Sequence, residues 1–166
     1  KQFLDEENDY LECGIPWKRN YLFSGPPGVG KTSLVFAMAS VLNYGISIIN
    51  FGPKVDDTVL LTAIAKLDKN KILILEDVDC LFVERKANDN IKSSVSFSGI
   101  LNLLDGVIKR HGLITVMTTN HPSRLDDALL RPGRIDQHII FDYMKEPEIR
   151  QMFKKIVKIK DDHILE

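Results

Sequence analysis

The sequence has no excess of charge of either sign. Lys and Arg together number 22 and Asp and Glu 23, which gives a formal net charge of -1. Proteins that bind duplex nucleic acid use a surplus of basic side chains to neutralise phosphates. The charge balance therefore argues against nucleic acid, and no such partner is expected.

Cysteine is scarce, and long hydrophobic runs are missing. Cys13 and Cys80 stand far apart with no partner motif, which favours thiols in a reducing compartment over a disulfide. No stretch approaches the roughly 18 consecutive apolar residues of a membrane span, and no signal-peptide pattern opens the chain. The chain begins at Lys1 without a methionine and is interpreted as an excised domain. Membrane contact is expected only through segments outside it.

Short apolar runs alternate with helical patterns along the 166 residues. Such alternation predicts an α/β fold in which helices cover both faces of a parallel sheet. The third run is apolar on consecutive residues, as a strand in the middle of the sheet should be. The five predicted strands are Tyr21 to Ser24, Gly45 to Asn50, Lys71 to Glu76, Leu113 to Thr118 and His138 to Phe141.

Helical patterns lie between these strands and after the last one. Lys31 to Leu42 is apolar on most sides and is predicted to be a buried helix. Amphipathic stripes follow, one of Val59, Leu60, Ala63, Ile64 and Leu67, the other of Phe97, Ile100, Leu101, Leu104, Val107 and Ile108 after the possible caps Ser93 and Ser94. The polar stretch Glu84 to Lys92 is either a solvated loop or a client-contacting loop.

The domain organisation follows from these patterns. Residues 1–144 are predicted to form the α/β core, with 1–18 as the segment that leads into it. Residues 145–166 are predicted to begin a following helical subdomain, with a helix from Glu146 to Ile159 and Pro147 in its opening turn.

A glycine-rich loop carries the clearest chemical signal. GPPGVGKT matches the phosphate-loop pattern G-x-x-x-x-G-K-[ST], and it lies between a predicted strand and a predicted helix as the pattern requires. Its backbone N–H groups would point at phosphate oxygens, Lys31 would reach the β- and γ-phosphates, and the Thr32 hydroxyl would bind Mg²⁺. The sequence thus predicts binding of ATP with Mg²⁺ by Gly25, Pro26, Pro27, Gly28, Val29, Gly30, Lys31, Thr32 and Ser33.

Three carboxylates lie at the end of the third predicted strand: Glu76, Asp77 and Asp79. Ligands of open α/β folds bind at the carboxyl ends of the strands, where these side chains would lie. One carboxylate there would hold Mg²⁺, partly through water, and another would orient and deprotonate the water that attacks the γ-phosphate.

Polar residues also follow the fourth predicted strand. Asn120 would present a neutral amide beside the acidic strand end, where it could hydrogen-bond the γ-phosphate or the attacking water. Further on, Arg131 and Arg134 flank Pro132 and Gly133 in a turn. Two guanidiniums on a rigid turn suit recognition of phosphate, but salt bridging at the surface is an equal alternative from these residues alone.

Together these motifs resemble the AAA family of ring-forming ATPases. The resemblance covers about Gly14 to Phe141 and rests on GPPGVGKT, ILILEDVD, TTN and RPGRID in that order. It implies that residues 1–144 are the large subdomain of a P-loop NTPase core and that residues 145–166 begin its helical lid. It also implies a sensor role for Asn120. It also implies that Arg131 and Arg134 act as arginine fingers on nucleotide held by the neighbouring subunit of a homo-oligomeric ring.

Within the family, the sequence is similar to the BCS-type branch of mitochondrial chaperones, which translocate the Rieske iron–sulfur protein during assembly of respiratory complex III. The similar segments are GIPWKRNYLFSGPPG, ILILEDVDC, SSVSFSGILNLLDGV and MTTNHPSRLDDALLRPGRID. The order Glu76 then Asp77 supports this, because most AAA proteins carry Asp then Glu. By resemblance Glu76 takes the magnesium role and Asp77 the base role. Asn20 is a departure, since close relatives tend to carry glycine there.

The resemblance implies an ATPase that drives conformational change in a chaperone or translocase with a protein client. It further implies a hexameric or heptameric ring on the matrix side of the mitochondrial inner membrane. Three alternatives stay open: a slow nucleotide-dependent assembly switch, a soluble cytoplasmic AAA relative with another client, and a loader of nucleic acid. The charge balance argues against the last.

Overall fold

Five parallel strands form the centre of the chain, in a computed structural model that describes residues 2–52, 55–83, 95–105 and 111–157. Their order across the sheet is β2-β3-β4-β1-β5. All four neighbouring pairs are parallel, so the carboxyl ends of the strands meet at one edge. The strands are β1 (Lys18–Ser24), β2 (Gly45–Asn50), β3 (Lys71–Glu76), β4 (Leu113–Thr119) and β5 (Gln137–Ile140).

This sheet confirms the predicted α/β class, and the bounds of β2 and β3 are those predicted. β1 begins at Lys18 rather than Tyr21, because its polar first residues pair with the start of β4 through the backbone. β4 runs one residue further, to Thr119, and β5 spans Gln137–Ile140 instead of His138 to Phe141. Phe141 comes just after β5 and is still bonded to β1, because its N–H donates to the carbonyl of Ser24 at 2.7 Å.

Helices flank the sheet in chain order. Two short ones precede β1, and a single 3-10 turn (Pro122–Arg124) follows β4. Among the described residues, no helix is both long and apolar enough to span a bilayer. The helices are α1 (Gln2–Asp5), α2 (Glu7–Glu12), α3 (Lys31–Leu42), α4 (Asp57–Ala65), α5 (Cys80–Val83), α6 (Phe97–Leu104) and α7 (Glu146–Val157).

The sheet has an apolar core on each face. On one face Leu73, Leu75 and Met117 pack with Leu60 and Ile64 of α4 and with the apolar side of α6. On the other face, strand residues pack with Phe3 of α1 and with Val35 and Ala39 of α3. Leu60 and Ile64 are completely buried, and burying such a side chain contributes about 1.5–3 kcal/mol. The central residues of the apolar stripes on α4 and α6 therefore belong to the hydrophobic core.

The prediction of a buried helix over Lys31 to Leu42 is wrong. The helix has the predicted bounds, but it buries only the side that contacts the sheet, with Val35 and Ala39 inward. Phe36 is 52% exposed and Val41 72%. The apolar composition of α3 does not show that one face of the helix packs against the sheet while its other sides are exposed.

The N-cap of α6 is Ser96, whereas the possible caps Ser93 and Ser94 lie outside the described residues. The hydroxyl of Ser96 accepts a hydrogen bond from the N–H of Gly99 at 2.9 Å and begins α6 at Phe97. The carboxylate of Asp57 accepts from both the N–H and the hydroxyl of Ser96, at 2.7 and 2.6 Å. This contact joins the first turns of α4 and α6. The sequence gave no indication that these two turns meet.

Several predictions fall outside the described residues. They concern Ser93 and Ser94 themselves, the polar stretch Glu84 to Lys92, and the stripe residues Val107 and Ile108. The last helix is described as Glu146–Val157, with Pro147 in its first turn, and the predicted end at Ile159 lies beyond the described part. Its apolar residues, such as Ile149 and Ile156, are exposed.

Candidate functional site

The glycine-rich loop connects β1 to α3 at the carboxyl edge of the sheet. Gly30 caps α3 with φ of 93°, a left-handed conformation that favours glycine. Gly25 lies so close to Phe141 that a Cβ at this position would collide with the Phe141 carbonyl oxygen. Both positions need glycine. The loop therefore leads directly into the N-terminus of α3, where a helix presents unpaired backbone N–H groups that favour an anion.

Lys31 is the first residue of α3 and is only 8% exposed. Its ammonium donates to the carbonyls of Gly25 and Pro26, both at 2.8 Å, and to Oδ1 of Asn120 at 2.7 Å. Burial lowers the pKa of Lys31 below its ordinary value of 10.5, while the negative charges of Asp77 and Asp79 oppose that shift. The cation is thus held inside the loop, where a phosphate oxygen could replace one of its acceptors.

Thr32 and Glu76 meet beside Lys31. The Thr32 hydroxyl donates to Oε1 of Glu76 at 3.3 Å, across from α3 to the end of β3. Hydroxyl and carboxylate oxygens are the hard ligands that Mg²⁺ prefers, and Mg²⁺ sites usually add waters and substrate phosphates. These two side chains therefore fit the predicted magnesium site.

Asp77 and Asn120 complete the same corner. Asp77 follows β3 in a left-handed conformation with φ of 47°. The amide of Asn120 donates through Nδ2 to Oδ1 of Asp77 at 3.1 Å, while its Oδ1 accepts from Lys31. One side chain after β4 thus contacts both the loop lysine and the proposed base. This is the arrangement expected if all three act on one phosphate group.

Asp79 does not join these groups. It lies at the carboxyl edge of the sheet as expected, because it accepts from the hydroxyl of Thr119, the last residue of β4, at 2.7 Å. It is buried there, whereas Glu76 and Asp77 line the cleft described below. Its hydrogen bond makes it a structural anchor for the turn.

The cleft formed by these elements has a volume of about 330 Å³. That is near the lower end of the range for small-molecule sites. Apart from Thr118, every lining residue belongs to the predicted site: Pro27, Gly28, Gly30, Lys31, Thr32, Ser33, Glu76, Asp77 and Asn120. Thr118 is the residue that the sequence interpretation missed, because a threonine inside a strand carries no local signal of function.

The two arginines of the RPGR turn have different surroundings. Arg134 forms a two-pronged ion pair with Asp105, and its Nη1 also donates to the carbonyl of Ala128 at 2.8 Å. This pairing lowers the pKa of Asp105 and raises that of Arg134. Arg131 is exposed on the surface of the turn. Neither arginine lines the cleft formed by the described residues.

Asn20 anchors the same turn from inside β1. Its side chain donates to the carbonyl of Arg134 at 2.7 Å, and its N–H donates to Oδ2 of Asp136 at the same distance. The Asp136 N–H donates back to the Asn20 carbonyl at 2.9 Å. Asn20, which stands where close relatives tend to carry glycine, therefore supplies a buried amide that fixes the arginine turn to the sheet.

Comparisons with known proteins give the same family that the motifs of this site indicate. Residues 21–143 match the model of the "ATPase family associated with various cellular activities (AAA)". The chain is 39% identical to a probable mitochondrial chaperone bcs1 of Schizosaccharomyces pombe, over 93% of this chain and 37% of that protein. It is 37% identical to the mitochondrial chaperone BCS1 of Bos taurus, over 93% of this chain and 39% of the relative.

A plant protein gives a similar match. An AAA-ATPase of Arabidopsis thaliana is 40% identical over 86% of this chain and 30% of its own length. The chain thus spans less than half the length of each of these relatives. The resemblance to the branch that contains the BCS1 chaperones is confirmed for the core.

Proposed function

The chain belongs to the AAA family of ATPases, and we propose that it binds ATP with Mg²⁺ and hydrolyses it as the motor core of a chaperone. The observation that carries this proposal is the position of Asn120, whose amide contacts Lys31 on one side and Asp77 on the other. A phosphate-holding cation, a base and a polar amide converge on one cleft. A glycine-rich turn with a purely structural purpose would not require the three to meet.

The phosphates would be held by the loop and by the first turn of α3. Backbone N–H groups of the loop, the ammonium of Lys31 and the N-terminus of α3 all favour negative charge. Thr32 and Glu76 would hold Mg²⁺ together with water and phosphate oxygens. The ion would neutralise charge on the β- and γ-phosphates.

The chemical step is attack of a water on the γ-phosphorus, with ADP as the leaving group. Asp77 would orient the water and accept its proton, and Asn120 would hydrogen-bond the water or the γ-phosphate. Asp is one methylene shorter than the Glu found at this position in most AAA proteins. The attacking water would therefore sit closer to β3.

The second half of the site would come from a neighbouring copy of the chain. Arg131, exposed and outside the cleft of its own chain, is suited to reach nucleotide held by the next subunit. Arg134 is held by its ion pair with Asp105. We therefore assign Arg134 to fixing the turn, and Arg131 to stabilising the transition state at the neighbouring subunit. The assembly would be a homo-oligomeric ring, hexameric or heptameric.

The client and the compartment are proposed from the relatives. The two BCS1-type proteins are named mitochondrial chaperones, so we propose a protein client handled on the matrix side of the mitochondrial inner membrane. The large subdomain would end near residue 144, and α7 would begin the lid, since its apolar side is not packed. Membrane contact would involve segments other than this chain.

The substitution Asp77→Asn tests the enzyme proposal. It keeps the shape of the side chain and removes the base, so we expect ATP binding to stay within about twofold and turnover to fall by about 10² or more, in the range typical of general-base loss. Turnover is measured by release of inorganic phosphate and binding by calorimetry with Mg·ATP.

Asp127→Asn is the matched control, because Asp127 is exposed and lies outside the cleft. It should bind and hydrolyse ATP as the unaltered chain does. Retained turnover in Asp77→Asn would exclude Asp77 as the base. Binding of ATP without measurable turnover in the unaltered, assembled chain would favour the nucleotide-dependent assembly switch.

A further inference from the structure

The turn after β3 is attached to the end of β4 by three consecutive hydrogen bonds. The N–H of Asp77 donates to the Thr118 hydroxyl at 3.2 Å, and the N–H of Val78 donates to the Thr118 carbonyl at 3.0 Å. The third bond joins the Thr119 hydroxyl to Asp79. Of the three, the bond to the Thr118 hydroxyl is the one that involves a side chain lining the cleft.

We propose that Thr118 is a positioning residue for ATP hydrolysis, whose hydroxyl holds the backbone of Asp77 where its carboxylate can activate water. The inference rests on the proposed function, since it takes Asp77 as the base. It assigns Thr118 a contact with the base and not with the nucleotide. Thr118 itself is 3% exposed and therefore well fixed.

The backbone of Asp77 needs such support. Its φ of 47° lies in the left-handed region, which is uncommon for residues with a Cβ, although Asp enters it more readily than most. Conformations of this kind persist where surrounding contacts over-determine them, and they concentrate at functional sites. The hydrogen bond from the Asp77 N–H to the Thr118 hydroxyl is a contact of that kind. Without it, the turn is still held to β4 by the bonds of Val78 and Asp79, but the Asp77 amide itself loses its acceptor.

The short side chain makes the backbone position decisive. A glutamate base can adjust its carboxylate through an additional rotatable bond, but an aspartate carboxylate is fixed largely by its own Cα and Cβ. A displacement of about 1 Å in a catalytic group can cost on the order of 10² in rate. The order Glu76 then Asp77 therefore makes hydrolysis depend on how β4 holds the turn.

Two substitutions at Thr118 separate the hydroxyl from the shape of the side chain. Thr118→Val keeps the shape and removes the acceptor, and Thr118→Ser keeps the acceptor and removes a methyl group. We expect Thr118→Val to lower kcat by about 10- to 100-fold with KM nearly unchanged, and Thr118→Ser to retain most of kcat. A packing role would give the reverse pattern, with Val tolerated and Ser impaired, and would overturn the proposal.

Thr115→Val is the matched control. Thr115 is buried in the same strand, and it occupies an odd-numbered position that faces the opposite side of the sheet from Thr118. The substitution should leave kcat within about twofold. An equal loss in Thr115→Val and Thr118→Val would show a general effect of altering β4 and would contradict the proposal.

Hydrogen exchange of the Asp77 amide gives a readout that does not depend on turnover. In the nucleotide-free chain, followed by NMR, we expect the exchange rate of this amide to rise at least about tenfold in Thr118→Val and to stay near the original in Thr118→Ser and Thr115→Val. Unchanged exchange in Thr118→Val would overturn the proposal whatever the ATPase assay gives.

The double variant Asp77→Asn, Thr118→Val shows whether Thr118 acts through Asp77. Once the base is removed, loss of the hydroxyl should cost little further activity. Multiplicative losses would mean that Thr118 contacts substrate directly, which contradicts a positioning role. If Asp77→Asn alone retains full turnover, the proposed base is wrong; if it is inactive and Thr118→Val is fully active, only the present inference fails.

Discussion

Arg134 and Asp105 form a parallel, two-pronged ion pair between the RPGR turn and the residue that caps the C-terminus of α6. Nε of Arg134 lies 2.7 Å from Oδ1 of Asp105, and Nη2 lies 2.8 Å from Oδ2. The arginine side chain is 18% exposed and the aspartate side chain 41%. Because all three nitrogens of the planar guanidinium donate, two to Asp105 and Nη1 to the carbonyl of Ala128, Arg134 has a fixed orientation within its own chain.

The pair predicts that the two arginines of the turn contribute differently to stability. Arg134→Ala should lower the free energy of unfolding by about 1–2 kcal/mol, because it removes a bidentate ion pair that is partly exposed and a hydrogen bond to Ala128. Arg131→Ala should change it by less than about 0.5 kcal/mol, as is usual for surface residues. Urea denaturation of both variants checks this. Equal losses would contradict the difference assigned to the two residues.

The proposed action of Arg131 on the neighbouring subunit predicts complementation. Arg131→Ala alone should lose about 10³- to 10⁵-fold in turnover, the usual contribution of an arginine finger, while still binding ATP. Lys31→Ala should fail to bind ATP but keep its own Arg131. Mixed in equal amounts, the two inactive variants should regain turnover, because an Arg131→Ala subunit can then receive an arginine from a Lys31→Ala neighbour.

Phosphate release from the mixture is compared with that of each variant alone. Specific activity of the unaltered chain should also fall on dilution, since a site shared between copies is lost when the assembly dissociates. A mixture that co-assembles by size-exclusion chromatography and stays inactive would contradict action in trans, as would a specific activity that is independent of concentration.

Because Gly99 packs against Asp57, we expect a glycine-to-alanine substitution at this helical position to lower the stability of the chain, which is the opposite of the usual effect. Replacing a helical glycine with alanine normally stabilises by about 0.5–1 kcal/mol. A Cβ on Gly99 would instead collide with the Asp57 carboxylate, which accepts two hydrogen bonds from Ser96. Gly99→Ala should therefore destabilise the chain by about 1 kcal/mol.

The sign should reverse once the carboxylate is absent. In an Asp57→Ala background, Gly99→Ala should become neutral or stabilising, because only the gain in helix propensity remains. Both comparisons use the free energy of unfolding in urea. Destabilisation of the same size in the two backgrounds would rule out the carboxylate as the obstacle.

The ion pair also predicts how stability changes in acid. Arg134 holds the pKa of Asp105 below its ordinary value of 3.8. Because the unfolded chain takes up the proton first as the pH falls, the contribution of Asp105 is complete above 3.8 and disappears as the pH falls through the lower pKa of the folded state. The stability difference between the unaltered chain and Asp105→Asn should therefore narrow in acid.

Unfolding free energies of both proteins between about pH 6 and about pH 3 measure this narrowing. The same pair of measurements in an Arg134→Ala background is the control, since Asp105 then has no guanidinium partner and the difference should change little with pH. A difference that stays constant into acid in the unaltered background would contradict the assignment.

Elements with strong local signals were predicted well from the sequence. The glycine loop and the apolar run after it define α3, and the unbroken run Ile72 to Leu75 defines β3, with bounds equal to those observed. The structure also brings predicted site residues into one cleft beside the loop, because the phosphate-loop pattern and the strand ends select the same edge of a parallel sheet. Glu76, Asp77 and Asn120 could be placed together for that reason alone.

Contacts between distant residues could not be predicted in the same way. Thr118 and Asp77 are separated by 41 positions, and Arg134 and Asp105 by 29. Each contact depends on strand order, register and the path of a turn, which leave no mark on either residue type. The exposed side of α3 was missed for a related reason, since composition shows how apolar a helix is but not how much of it is covered.

The packing of Gly25 against the Phe141 carbonyl has a mechanical consequence. The start of the phosphate loop and the point where the chain leaves the sheet toward α7 are in direct contact, and the Phe141 N–H is bonded to Ser24 beside them. Atoms in close contact cannot approach further, so a shift of the loop toward this strand end must displace residue 141 as well. A movement of the nucleotide loop in that direction would therefore be transmitted to the segment that leads from β5 to α7.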